Sequence, residues 1–237
     1  MDIRIDSLLA GAKKAEGVVV IIDVFRAFTT AAVALSRGAE RLILTTEIDD
    51  AYMLRKRKEA HYCIGEVDGK KPEDFDFGNS PFEIEQADVA GKTLVLSTRA
   101  GTVGANAAWH AERLYGAAFT NARATAGLLR AANPPLVTLV PMGRNGRVRT
   151  DEDELCAIYL KNLLLGLQPP ARALAEILRQ SHEAQKFGDP AQPHFHPGDL
   201  DKALEIDRFP FAIRIARRDR QLVAAPEYPV DSQGETP

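Results

Sequence analysis

The sequence is short of sulfur and of aromatic bulk. Two cysteines, Cys63 and Cys156, in 237 residues cannot form a disulfide framework or a cysteine-based metal cluster. Both fall in apolar segments and are expected in the core. So few cysteines suit a reducing compartment, and the expected location is cytoplasmic. Aromatic residues make up 7%, and the single tryptophan, Trp109, is expected to serve in packing. No charge sign dominates. Thirty Lys and Arg face 33 Asp and Glu, for a formal charge of −3. That balance argues against non-specific nucleic-acid binding, which needs surplus cation. Apolar runs are far shorter than the roughly 18–20 residues of a membrane span. Charges scattered through residues 1–14 leave no apolar stretch of signal-peptide length. Neither a membrane nor a nucleic-acid partner is expected, and oligomeric state is not readable.

Hydrophobic residues at 45% and charged residues at 27% are ordinary for a globular chain that can bury a sizeable core. Val18-Val-Val-Ile-Ile22, β-branched and uninterrupted, reads as a strand buried on both faces. An Ala- and Thr-rich stretch, 27–37, reads as a helix stopped by Gly38. Strand 41–45 and an amphipathic helix over 48–60 follow, giving β-α-β-α, the order of a parallel sheet with crossover helices. Further strands are expected at 62–64, 94–97, 115–119 and 136–140. Helices are expected at 104–113, from Asn121 to 131, at 151–167, 170–186 and 199–206. Residues 67–86 and 188–198 read as loops. A hairpin pairs 211–216 with 221–224, and the polar end, 229–237, is expected to fray. The expected fold is a three-layer α/β/α unit with a mainly parallel sheet. It spans residues 1–237, with 168–237 as a possible C-terminal helical and hairpin extension.

Ligands of open parallel sheets bind beyond the carboxyl ends of the strands. The residues there are Asp23 and Arg26; Gly65 and Glu66; Thr98, Arg99, Gly101 and Thr102; Thr120 and Asn121; then 142–146 with Arg144, followed by Glu152 and Asp153. Carboxylates, arginines, hydroxyls and glycines together suit a hard cation such as Mg²⁺ beside an oxyanion. Each also has a structural alternative. Asp23 could be a cap, the acidic run 151–154 could answer a helix dipole, and His194-Phe-His196 reads as a surface segment. Haloacid-dehalogenase, cysteine-phosphatase and histidine-phosphatase signatures are absent, as is a Gly-x-Ser-x-Gly elbow.

One loop is more specific: Asp74-Phe-Asp-Phe-Gly-Asn-Ser-Pro81. Together with Asp23-Val-Phe-Arg26, Gly65-Glu66, Thr98-x-x-Gly101-Thr102, Asn121-Ala122 and Glu152-Asp153-x-Leu-Cys-Ala157, it resembles the 2-phosphosulfolactate phosphatase family. The resemblance runs in order from about residue 17 to 165. It implies an α/β, Mg²⁺-dependent acid phosphatase that hydrolyses 2-phosphosulfolactate to sulfolactate and phosphate, on the route to coenzyme M. Four positions depart from the family's usual pattern: Val67 stands where Arg is usual, Arg99-Ala100 where Thr-Asn is usual, and Ile158 where Gly is usual.

On this reading Asp23, Glu66 and Glu152 or Asp153 hold the metal, and Asp76 is a further ligand or base. Arg26 clamps phosphate. Gly78, Asn79, Ser80, Thr98, Gly101, Thr102 and Asn121 supply further contacts. Arg99, Arg144 and Arg147 face the second anionic end. Attack by metal-activated water is preferred over a phosphoenzyme at Asp23. A phosphatase for another small phosphorylated acid and a non-catalytic anion-binding protein remain the alternatives.

Overall fold

A computed structural model describes residues 1–229. The chain runs β1 (Asp2–Ile5), α1 (Leu8–Lys14), β2 (Val18–Ile22), α2 (Ala27–Ser36), β3 (Arg41–Thr45), α3 (Ile48–Lys56), β4 (Tyr62–Gly65), β5 (Phe77–Gly78), α4 (Pro81–Gln86), β6 (Thr93–Ser97), α5 (Gly101–Ala107), β7 (Arg113–Ala117), α6 (Ala122–Ala132), β8 (Leu136–Pro141), α7 (Asp151–Leu164), α8 (Ala171–Arg179), α9 (Pro197–Ala203), β9 (Ala212–Arg218) and β10 (Gln221–Glu227). Short 3₁₀ turns cover Phe119–Asn121 and Glu183–Lys186. The expected frayed tail falls largely in 230–237, outside the described residues. Among the described residues no helix is long and apolar enough to cross a membrane.

These strands form one ten-stranded sheet in the order β1-β8-β2-β7-β9-β10-β3-β6-β4-β5. The α/β class expected from the sequence is therefore present, with helices covering a mostly parallel sheet. The terminal hairpin also forms, but its position is unexpected. β9 pairs antiparallel with β7, and β10 pairs antiparallel with β3. The hairpin thus joins two parallel sets, β1-β8-β2-β7 and β3-β6-β4-β5. Sheet twist, roughly 20–25° per strand, accumulates across it, and the carboxyl ends of β2 and β6 meet. The Gly101 N–H, just beyond β6, donates to the Asp23 carboxylate, just beyond β2, at 2.7 Å. The polar strand ends converge at a junction between two sets rather than along one continuous edge.

Local chemistry explains the other departures from expectation. β1 alternates charged and apolar residues, and it buries only Ile3 and Ile5 in part against the core. That is the pattern of an edge strand, with too little apolar signal to stand out. The loop expected over 67–86 contains α4, whose start follows capping rules. Ser80 Oγ accepts from the Glu83 N–H at 3.1 Å, and Pro81 fills the first helical turn. The last expected long helix breaks after Arg179. Cys63 and Cys156 are buried. Trp109 is not a packing residue: α5 ends before it, and the indole is 59% exposed beneath the Arg217 guanidinium.

Candidate active site

Asp23 is the pivot of the junction. Its Oδ1 accepts from the Ala27 N–H at 3.1 Å, which starts α2, and its Oδ2 accepts from Gly101. The contact needs glycine at 101, because a Cβ there would lie 2.9 Å from Asp23 Oδ2 and 2.8 Å from the Ala27 methyl. Asp153, in the first turn of α7, ties the end of β2 to that of β8. Its Oδ1 accepts from Val24 N–H at 2.8 Å and its Oδ2 from Gly143 N–H at 2.7 Å. Glu66 does the same beyond β4, accepting from Gly69 N–H at 2.7 Å and Arg99 N–H at 2.8 Å. Glu152 differs from these three. It is 4% exposed, and its Oε2 has no hydrogen-bond partner in the protein.

These acids share one cleft of about 280 Å³. Burial pushes Asp23 up to about 6, against the pull of the Ala27 and Gly101 amides and with the charge of Glu66 adding to it. Burial pushes Glu152 up to about 7. Asp153 is raised well above the usual carboxylate range by burial, then by the charges of Glu152 and Asp23. The cationic side of the cleft carries Lys186, Arg144 and Arg26. Lys186 pairs with Glu183 at 2.7 Å. Arg144 is half exposed and lies 3.6 Å from Glu183. Phe25 and Phe195 form apolar walls, both in edge contact with Phe187.

Of the residues expected at the site, Asp23, Arg26, Glu66, Asn79, Thr98, Arg144, Glu152 and Asp153 line the cleft. Others stand behind it. Gly101 supports Asp23, and Thr102 Oγ1 accepts from the Thr98 N–H at 3.0 Å. Arg99 reaches the site through its backbone N–H to Glu66, and its side chain is not among the lining groups. Gly78 donates to Glu83, and Ser80 donates to Asp199 at 2.5 Å. Asn121 is fully buried, accepting from the Ala118 N–H at 2.9 Å to shape the turn after β7. Asp76 lies elsewhere, accepting from Arg55 and from the Cys63 N–H, each at 2.8 Å. Arg26 is 2% exposed and already engaged, donating to Asp199 at 2.8 Å and to the His194 carbonyl at 3.0 Å.

The cleft also holds Asp68, Glu183, Lys186 and Gln192, which sequence reasoning passed over, together with Phe25 and with His194 and Phe195 of the segment read as surface. The His194-Phe-His196 segment was the available signal, and only half of it faces the site. His194 lines the cleft, its imidazole pushed below its usual value by burial and then by Arg26, Lys70 and Lys186. His196 instead caps α9, accepting from the Gly198 N–H at 3.0 Å, and stacks on Phe82.

Hard oxygen donors crowded under a cationic rim, at strand ends of an α/β sheet, make a site for phosphoryl chemistry. The family model for 2-phosphosulpholactate phosphatase matches residues 5–195. The chain belongs to that family, whose members are phosphoric monoester hydrolases. It is 32% identical over 184 residues to the probable 2-phosphosulfolactate phosphatase of Bacillus subtilis, covering 76% of this chain and 79% of that protein. It is 39% identical over 153 residues to the protein of the same description from Thermus thermophilus, covering 64% of each.

Proposed function

We propose that this chain hydrolyses 2-phosphosulfolactate to sulfolactate and phosphate with the help of Mg²⁺. The observation that carries the reading is Glu152 Oε2, buried without a partner among carboxylates that repel one another. A cation relieves that arrangement, and the donors are all hard oxygens. Among the described residues no three His, Cys, Asp or Glu side chains form a ready-made ligating cage. Mg²⁺ does not require one, since it takes one or two carboxylates and completes its shell with water and substrate phosphate. The residues fit it, with Asp23, Glu152 and Asp153 as holders and Glu66 beside them. When bound, Mg²⁺ supplies charge neutralisation for the phosphoryl oxygens and acidifies water.

The chain's own groups do the rest. Lys186 and Arg144 meet phosphate oxygens from the rim. Asn79 and Thr98 donate hydrogen bonds from the floor. Phe25 and Phe195 exclude bulk water. The place of such a reaction on the route to coenzyme M belongs to the same proposal.

A second reading, hydrolysis of another small phosphorylated acid, draws support from Arg99. The sequence offered it as a cation for the second anionic end, yet its side chain does not line the cleft. The test is phosphate release from 2-phosphosulfolactate and from a panel of small phosphorylated acids, with Mg²⁺ and after exhaustive chelation. Mg²⁺-dependent release fastest from 2-phosphosulfolactate is expected. Undiminished release after chelation overturns the cation. Faster release from another acid overturns the substrate, and no release from any overturns hydrolysis.

A further inference from the structure

Arg26 and Ser80 both turn toward the same carboxylate. Asp199, in the first turn of α9, is completely buried. Its Oδ2 accepts from Arg26 Nη1 at 2.8 Å. Its Oδ1 accepts from Ser80 Oγ at 2.5 Å and from the Phe82 N–H at 3.2 Å. Arg26 uses further donors on the Gly69 carbonyl at 3.2 Å and the His194 carbonyl at 3.0 Å, and its guanidinium lies 4.7 Å from the Phe195 ring centre. Four separate segments therefore meet at one ion pair: the turn after β2, the turn at Gly69, the Asn79–Ser80 turn, and the stretch 194–199. Arg26, Gly69, Asn79, His194 and Phe195 all line the cleft, while Asp199 does not touch it. Asp199 also lies four residues beyond the stretch matched by the family model.

We propose that Asp199 is a positioning residue for the hydrolysis, acting through Arg26 and the Asn79–Ser80 turn to fix one wall of the cleft. The inference rests on the phosphatase reading above. Three of its partners are donors, so a neutral acceptor cannot replace the charge: a lone guanidinium would be left buried. Arg26 stays free to present its remaining N–H groups only while Asp199 and the two carbonyls hold its plane. The same carboxylate sets Asn79, because Ser80 and Phe82 are its close chain neighbours.

The experiment compares wild type with Asp199→Asn, Arg26→Gln and the double variant. Thermal unfolding, steady-state kinetics and amide hydrogen exchange over residues 77–82 are read for each. Asp199→Asn is expected to lower kcat at least 30-fold, to change KM less than fivefold, and to speed exchange at Phe82. The double variant has no unpaired buried charge, so it is expected to recover most of the lost melting temperature while kcat stays as low as in Arg26→Gln alone. That non-additivity marks action through Arg26. A double variant that regains stability and wild-type kcat together would show a structural role only and overturn the proposal. So would a folded Asp199→Asn with kcat within twofold of wild type. Should Asp199→Asn not fold, Asp199→Glu, which keeps the charge but displaces it by a methylene, carries the kinetic test: a fall in kcat of at least tenfold is expected, and a folded Asp199→Glu with kcat within twofold of wild type overturns the proposal. Wild type without phosphate release overturns the phosphatase reading itself and is told apart by that control.

Discussion

Replacing Glu152 by Gln should make the metal-free protein more stable while removing its activity. The side chain is buried, its Oε2 has no partner, and burial pushes its carboxyl from 4.5 up to about 7. That difference corresponds to about 3 kcal/mol by which the ionised group is disfavoured in the folded chain relative to the unfolded one. Gln keeps the shape and loses the charge, but its buried amide still costs about 1–2 kcal/mol if imperfectly bonded. The net gain expected at pH 8 without metal is about 1–2 kcal/mol. For a chain of this size it should raise the melting temperature by about 2–8 °C. The pH dependence follows from the same displacement. The folded carboxyl binds its proton at higher pH than the unfolded one, so between about pH 4.5 and 7 the folded state holds more protons. Wild-type stability should therefore rise as pH falls through that window, and the Glu152→Gln variant should show a smaller rise. Saturating Mg²⁺ should stabilise wild type and shrink the advantage of the variant. Thermal unfolding followed by circular dichroism, with chelator and with Mg²⁺ at pH 5, 6, 7 and 8, measures all of this. A variant less stable than wild type at pH 8 in chelator would refute the reasoning, since it would mean that the charge is already compensated.

Two further expectations follow from single contacts. Gly101→Ala would force a Cβ to 2.9 Å from Asp23 Oδ2. It should cost about 1–3 kcal/mol in denaturant unfolding and lower kcat/KM at least tenfold by displacing that carboxylate. Arg55→Ala removes the partner of Asp76, in a pair whose side chains are 31% and 28% exposed. It should cost about 0.5–1.5 kcal/mol and leave kcat within twofold of wild type, because Asp76 lies outside the cleft; a tenfold fall in kcat would return Asp76 to the site.

Much of the sheet was readable because its central strands carry their own signal. Val18–Ile22 is buried at every position, as a continuous β-branched run requires. The hairpin was readable too, but its insertion between β7 and β3 was not. Strand order is decided by which apolar faces meet in space, and nothing local to residues 212–227 records that. β1 was lost for a different reason, since an edge strand with two half-buried isoleucines leaves only a short alternation. In the site, strand-end residues were legible because α/β geometry puts them beside any ligand. The wall from 183 to 199 was not, because it arrives from far along the chain. Arg26 and Asp199 are separated by 173 positions, and neither side chain signals the other.

The acidic run at the start of α7 shows how a single pattern can hold both a structural and a chemical function. As sequence, 151–154 is four acids at the positive end of a helix, and the dipole alone would account for them. The fold separates them by direction. Asp151 is exposed, where a carboxylate at a helix start is worth a fraction of a kcal/mol, roughly 0.3–1. Asp153 turns inward and accepts the N–H groups of Val24 and Gly143, so it closes the junction between the ends of β2 and β8. Asp23 and Glu66 close other junctions in the same manner. Each of these three spends its oxygens on backbone donors while lining the cleft. Glu152, by contrast, keeps a buried oxygen with nothing to accept from. Burial and the charges of Asp153 and Glu183 disfavour its ionised form, and a nearby backbone amide, Thr150 and Lys186 offset only part of that cost. On the proposal made above a cation answers that oxygen, and by that criterion Glu152, rather than the more conspicuous Asp23, would be the residue on which the chemistry of this cleft turns.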